Sequence, residues 1–324
     1  MMSPLFNQSV FITGGTGSFG RAFAVRALAD GATRVVVFSR DEAKQAAMAA
    51  EFTDARMRFF VGDVREPSRV QWAMRGCTVV VHAAAMKRID TCEVDPVEAI
   101  HTNVLGSQHV AMAAIQQGVS RALLLSTDKA AAPCTLYGMT KATAERAWIQ
   151  SNAYAAGTAT RLSATRYGNV LGSTGSILPI WRGAVAKNHP IMITDPTATR
   201  FWMRMDDAVE LVIHALTHMM GGETFVPKLH AASLSCLADA VAPSAVRALV
   251  GLRAGEKLHE TLVSVDEASR TIDKGSHYVI QPAVRKWGVP SYDSTWRAPD
   301  GFSLTSDTAP HFTPEALRAL VEHA

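Results

Sequence analysis

The chain has 324 residues, 48% of them hydrophobic and 19% charged, and its 32 basic and 29 acidic side chains leave a formal net charge of +3. That composition suits a globular protein of about two domains, or one large one, and excludes a disordered chain, a collagen and a coiled coil. The charge balance is too even to argue for a nucleic-acid or membrane partner, and no apolar run approaches the ~18 residues of a membrane span.

Ser9 to Thr13 predicts a first strand that ends in glycines. The residues before it lack the basic region of a signal peptide. Phe19 to Ala29 then carries helical apolar spacing, closed by Gly31. Arg34 to Phe38, Met57 to Val61 and Thr78 to His82 predict three further strands. Glu93 to Gln117 predicts one long helix, Arg121 to Ser126 a fifth strand, and Tyr137 to Ala156 another helix. Continuous apolar strands separated by helices mean a parallel sheet covered on both faces. The expected fold is α/β, a doubly wound parallel sheet (Rossmann fold) with a smaller C-terminal substrate-binding lobe. After about Arg166 the alternation loosens into glycine, proline and threonine clusters. The expected division is therefore 1–168 for the Rossmann domain and 169–324 for a lobe partly interleaved with it. From about Asp273 onward the signals are weak. The four cysteines, Cys77, Cys92, Cys134 and Cys236, have no metal-site spacing and read as reduced, mostly buried thiols of a cytoplasmic protein.

Thr13-Gly-Gly-Thr-Gly-Ser-Phe-Gly20 sets Gly14, Gly17 and Gly20 between a strand and a helix. In that position the glycines allow a tight turn, a close approach of backbone to a pyrophosphate, and close helix–strand packing. Thr16, Ser18 and Phe19 complete this candidate phosphate loop. Ser39-Arg40 ends the second strand and Lys44 follows one turn on, where a dinucleotide fold often carries an acid for the ribose hydroxyls. A hydroxyl and cations there suit a 2′-phosphate, which favours NADP over NAD. Asp63 and Val64 follow the third strand and are expected at the adenine edge, a place where an aspartate also caps helices.

Tyr137 and Lys141 stand four apart at the start of a helix and share a face. A lysine beside a phenol lowers its pKa and lets it act as a base toward a substrate hydroxyl. This pair alone is a weak signal. It gains weight just past the fifth strand, where a doubly wound sheet opens its crevice.

TGGTGSFG, HAAAMK, STDKA, YGMTK and RYGNVLGS together resemble the extended short-chain dehydrogenase/reductase superfamily, and within it the configuration-inverting UDP-N-acetylglucosamine 4,6-dehydratases of pseudaminic acid and capsule biosynthesis. The resemblance continues through Thr199 to Trp202, Gly222 to Lys228, Gly251 to Glu260 and Ser306-Asp307, covering nearly the whole chain. Retaining dehydratases of this fold carry Asp-Glu where this chain has Asp128-Lys129. The resemblance implies a lyase that runs an internal NADP redox cycle and yields a UDP-2-acetamido-2,6-dideoxy-L-arabino-hexos-4-ulose. It implies that Tyr137 and Lys141 drive oxidation at C4 with Thr127 bonding the C4 oxygen. Lys129 would be the C5 base, its pKa depressed by burial and by Lys141, and Asp128 would assist elimination. It places Ala83, Ala84 and Ala85 at the cofactor. Asn103 is assigned to the cofactor site as well, as a residue that steadies the active-site backbone. Lys87, Asn169, Arg200, Lys228, Arg253 and Glu256 are expected at the UDP-sugar, with Arg200 and Arg253 clamping the diphosphate. A homo-oligomer is implied too.

Three positions depart from the family pattern: Ala132 and Thr135 stand where asparagine is common, and Thr174 where arginine is usual. They put the exact sugar in doubt. Other readings are a UDP-sugar 4-epimerase or 5-epimerase on the same scaffold, and a non-catalytic NADP-binding protein, although the tyrosine and lysine that such proteins often lose are intact. His214 and His218, four apart on a helix, read as a helix face and not as a metal site. No metal is expected, and six scattered tryptophans make no nucleic-acid platform.

Overall fold

Short runs of β-branched and apolar residues, too short for helices and mostly buried on both faces, build the centre of the molecule. The computed structural model of the chain describes residues 2–284, 287–288 and 296–322. Its first six strands are β1 (Ser9–Thr13), β2 (Arg34–Ser39), β3 (Met57–Val61), β4 (Val79–His82), β5 (Arg121–Leu125) and β6 (Arg161–Thr165). Helices follow the strands in turn: α1 (Ser18–Ala29), α2 (Glu42–Glu51), α3 (Pro67–Ala73), α4 (Ile89–Val94), α5 (Pro96–Ala99), α6 (Gly106–Gln116) and α7 (Leu136–Gln150). The chain continues through β7 (Asn169–Val170), α8 (Ile177–Ala186), β8 (Ile191–Ile193), β9 (Thr199–Met203) and α9 (Met205–His218). It then forms β10 (Thr224–Pro227), β11 (Ala231–Ser233), α10 (Leu234–Val241), β12 (Arg247–Leu249), β13 (Thr261–Val263), β14 (Thr271–Asp273) and β15 (His277–Ile280). Last come β16 (Leu304–Thr305) and α11 (Pro314–Glu322).

The main sheet has the order β14-β15-β10-β6-β5-β4-β1-β2-β3. β10 through β3 are parallel, and the strand order reverses between β1 and β4. A crevice opens at that reversal, at the carboxyl ends of the strands. α1 and α9 cover one face, where Phe23, Ala24 and Ala27 share a core with Val209, Val212 and Leu216. α3, α6 and α7 cover the other, with Val70, Val110 and Trp148 in its core. The doubly wound sheet expected from the alternation is therefore present.

It differs at one edge. β15 joins β10 antiparallel and β14 joins β15 antiparallel, so the weakly patterned stretch past residue 270 completes the sheet. Lobe strands β10, β14 and β15 thus share the sheet of the first half. The remainder of the lobe holds three small sheets, β11-β9-β7, β12-β8 and β13-β16, with one core around Leu178, Trp181, Leu237 and Leu317 and another around Phe201, Leu262 and Leu304.

Two helices also differ from expectation. The long helix over 93–117 begins earlier and is broken, because Pro96 lacks an amide proton and forces Asp95 out of the helical region (φ −115°, ψ 66°). After α5 the chain runs as a π-helix, Ile100–Leu105, before α6. The helix expected to reach Ala156 ends at Gln150 and gives way to a 3₁₀ turn, Ser151–Ala153. Among the cysteines Cys77 and Cys92 are buried, while Cys134 and Cys236 are exposed, against the expectation of mostly buried thiols. No helix among the described residues is long and apolar enough to cross a membrane.

Candidate active site

The phosphate loop turns at Gly14, which has φ +64°, and a Cβ there would lie 2.9 Å from the Ala84 nitrogen. A Cβ on Gly20 would lie 2.5 Å from the Gly15 Cα. Gly17 caps α1 with no side chain in the way, so free amides at the helix start face the crevice. This cradle fits a dinucleotide pyrophosphate. The Ala83–Ala85 strip beside it is fixed through Thr13, whose Oγ1 accepts from the amides of Ala83 and Ala84 at 3.1 and 3.2 Å. With both lone pairs engaged, Thr13 donates to His82 Nδ1 at 2.5 Å, so His82 Nε2 donates to Ser107 Oγ at 3.0 Å. Burial, with Lys141 nearby, pushes the His82 pKa down to about 3 and keeps it neutral.

Asn103 lies on the π-helix, and its side chain is fully engaged. Oδ1 accepts from the Met86 amide at 2.8 Å, and Nδ2 donates to Met86 O and Thr140 Oγ1, both at 3.0 Å. It steadies the loop after β4 against α7.

Arg40 ends β2 exposed, 3.7 Å from Asp63, which also pairs with Arg65 at 2.7 Å. Ser39 accepts from Gln45 at 3.0 Å, and Lys44 pairs with Asp41, the N-cap of α2. Of the three residues expected to select the cofactor, Arg40 presents a cation at the strand end, while Lys44 is tied to its own helix. Val64 turns inward against Gly106, and its carbonyl accepts from His109 Nδ1. Its side chain packs against the helix.

β5 delivers Thr127, Asp128 and Lys129 to the crevice beside Tyr137 and Lys141. Thr127 Oγ1 donates to Asp128 Oδ1 at 2.9 Å and forms a side-chain hydrogen bond with Tyr137. Burial pushes the Tyr137 phenol up to about 12, against the pull of Lys129. Lys141 Nζ donates to Leu125 O at 2.7 Å. Burial lowers Lys141 to about 8. The expected depression of Lys129 is overturned. Burial does work downward, but Asp128 and Glu260 more than offset it and hold Lys129 as an ammonium. Its Nζ lies 3.1 Å from Asp128 Oδ1 and 2.9 Å from Glu260 Oε1. Burial raises the Asp128 pKa, and the Glu260 anion adds to the rise. Glu260 was not singled out as a site residue in the sequence, although it closes the Gly251 to Glu260 motif. Its signal was an acid in a quoted motif with no assigned work.

The substrate-side residues divide. Lys87 Nζ donates to Thr174 O at 2.8 Å, and Thr174 Oγ1 lies 2.9 Å from Ser18 Oγ, so the loop at 172–175 bridges to the phosphate loop. Asn169 lies in β7 opposite Trp202. Arg200 is buried and spends its guanidinium on Glu256 at 2.8 Å and the carbonyls of Thr199 and Leu258. Glu256 is its counterion. Arg253 is exposed, with its Nε 3.8 Å from Glu256. Lys228 is not brought to this set. It pairs with Asp273 at 2.7 Å and lies over the Tyr278 ring, in a separate hollow with Trp296 and Phe302. His214 and His277 face each other at 3.2 Å between Nε2 atoms, and no group of three or more His, Cys, Asp or Glu among the described residues is arranged to hold a metal.

A reversal-point crevice, a glycine cradle and a Tyr-Lys pair past β5 define a short-chain dehydrogenase/reductase of the extended type. The chain belongs to the polysaccharide biosynthesis protein family, which matches residues 10–282. It is 39% identical to an inverting UDP-N-acetylglucosamine 4,6-dehydratase of Campylobacter jejuni subsp. jejuni serotype O:23/36 (strain 81-176), over 98% of this chain and 99% of that one. It is also 39% identical to a UDP-glucose 4-epimerase of Rickettsia akari (strain Hartford), over 85% of this chain and 83% of that one. The X-ray structure of Pen from Bacillus thuringiensis superposes with a TM-score of 0.92 at 33% identity, covering 98% of both chains.

Proposed function

We propose that the protein is an NADP-dependent UDP-N-acetylglucosamine 4,6-dehydratase that inverts C5. The observation that carries this is the Asp128-Lys129 pair just after β5, Asp128 buried and Lys129 half-buried, beside Tyr137. An epimerase needs only the oxidation machinery, whereas elimination needs an acid and a base at C5 and C6. When bound, the nicotinamide supplies the place where the C4 hydride goes and from which it returns. Tyr137, with Thr127, takes the proton of the C4 hydroxyl. Lys141 orders Tyr137 and the end of β5 through Leu125 O. Oxidation at C4 makes the C5 proton acidic, and Lys129 in its amine form removes it. Asp128, whose pKa burial raises, gives a proton to the departing C6 hydroxyl. The exposed Arg40 favours NADP over NAD. Arg253 and Lys87 are the cations for the diphosphate, and Asn169 lines the sugar side. In this reading residues 1–168 bind the dinucleotide, residues 169–324 supply most substrate contacts, and the enzyme works as a homo-oligomer.

Proton NMR with UDP-N-acetylglucosamine in deuterated water tests it. The expected result is loss of water, a new C6 methyl signal, and deuterium at an inverted C5. Dehydration with C5 retained would overturn the inversion. The identity to the Rickettsia protein favours 4-epimerisation as the second reading, and a C4-inverted product with its C6 hydroxymethyl intact would establish it.

A further inference from the structure

Two carboxylates hold Lys129, and only one comes from its own loop. Glu260 reaches it from the segment before β13, with Nζ donating to Oε1 at 2.9 Å. Glu260 is 2% exposed and Asp128 fully buried. The other oxygen of each, Glu260 Oε2 and Asp128 Oδ2, is buried with no hydrogen-bond partner. Such acceptors are uncommon because burial without a partner is costly. Glu260 is placed firmly, since its amide donates to Ser306 Oγ and its carbonyl accepts from the Ser306 amide, both at 2.8 Å. The other charged or titratable groups facing this trio are Arg200 on β9, with Nε 3.9 Å from Glu260 Oε1, Lys257 on the Glu260 segment, and Tyr137 on α7.

An ammonium takes no proton, so a lysine that is to act as a base at C5 first has to lose one. The nearest acceptor for that proton is one of the two carboxylates that hold Nζ. Asp128 is committed as the acid for the C6 hydroxyl. Resting on the dehydratase reading above, we propose that Glu260 is a positioning residue that acts through Lys129 and stores its proton during elimination. One Nζ–H bond breaks and one Oε1–H bond forms, and the freed lone pair on Nζ takes the C5 proton. Asp128 gives its proton to the leaving hydroxyl, which departs as water. The trio has then gained one proton and lost one, and passing the Glu260 proton through Nζ to Asp128 restores the starting state.

The test compares wild type, Glu260→Gln and Glu260→Asp with UDP-N-acetylglucosamine and NADP. C4 oxidation, followed as absorbance at 340 nm, should persist in all three, which also reports that the variants fold. Water release in Glu260→Gln should fall about 10²-fold or more. Its rate should then climb about tenfold per pH unit, because solvent has to deprotonate the lysine. Wild type and Glu260→Asp should stay flat across neutral pH. Wild-type water release in Glu260→Gln, or a uniform loss with an unchanged pH profile, would overturn the proposal. If the wild type releases no water, the dehydratase reading is what fails. Glu260 is then judged by ¹³Cε-lysine NMR titration, with the Lys129 signal assigned through Lys129→Met. The Lys129 midpoint should drop by about 1–3 pH units in Glu260→Gln, and an unmoved midpoint sinks the role of Glu260.

Discussion

Ala132 has φ +43°, one of three non-glycine residues with positive φ among the described residues. It stands in the active-site loop between Lys129 and Tyr137. Left-handed backbone brings an alanine Cβ against its carbonyl and costs about 1–2 kcal/mol, which glycine avoids and asparagine tolerates. The asparagine common in related chains at this position thus has a backbone reason, and its replacement here does not by itself bear on the sugar. Ala132→Gly should raise stability by about 0.5–1 kcal/mol, less than the full strain because glycine loosens the unfolded chain. A rise in the urea midpoint measures it, and a fall would show that the loop is unstrained. Thr135, the second departure, caps α7 by accepting from the Gly138 amide at 3.1 Å, so either residue type serves there. Thr174, the third, ties its loop to Ser18 instead of presenting a cation.

At the level of the element, the broken helix between Ile89 and Gln116 is the main case of structure that periodicity did not convey. Its apolar spacing reads as one helix, and only Pro96 marks the interruption. The π-helix leaves no mark of its own, because i→i+5 bonding depends on tertiary packing. That same π-helix carries Asn103 to Met86 and Thr140. Asn103→Ala removes three hydrogen bonds, leaves the Met86 amide without its acceptor, and should cost about 1–3 kcal/mol. Turnover should drop with it, because the Ala83–Lys87 loop loses its support. Thermal unfolding together with steady-state turnover checks this, and unaltered values in both would show that the loop holds without it. By contrast β1 to β5 were plain from their β-branched runs, and Tyr137, Lys141 and the glycine loop from spacing read together with their places after strands. Glu260 was not, because its partner Lys129 lies more than a hundred residues earlier and no local pattern links the two.

Across the whole molecule, buried charge joins the two halves. Arg166, just after β6, pairs with Glu145 of α7 at 2.5 Å and with Glu267 of the lobe at 2.8 Å. Burial pushes Glu267 up, but Arg166 outweighs it and brings the carboxyl down to about 2 from an ordinary 4.5. A depressed acid stabilises the fold above pH 4.5, and that contribution drains away as the pH falls toward 2. His82 acts in the same direction over a higher window. Buried and neutral, it takes a proton only near pH 3, whereas the unfolded chain takes one near 6.5. Urea midpoints should therefore decline as the pH drops from 6.5 to 3. His82→Gln should flatten the upper part of that decline. An equally steep curve in the variant would place the decline elsewhere.

β6 is completed on its outer side by β10, and β10 by β15, so the strand that ends the first half waits for residues 224–280. During synthesis the ribosome exposes β6 as a bare edge for the time needed to add the roughly sixty residues up to β10. An unpaired apolar edge of that kind templates association with other chains. A fragment truncated at residue 168 should accordingly collect in the insoluble fraction, while the full chain stays in solution. A monomeric fragment with a cooperative melt would contradict this. The nascent protein is thus most vulnerable midway through its translation, and least so once Ile280 has cleared the exit tunnel.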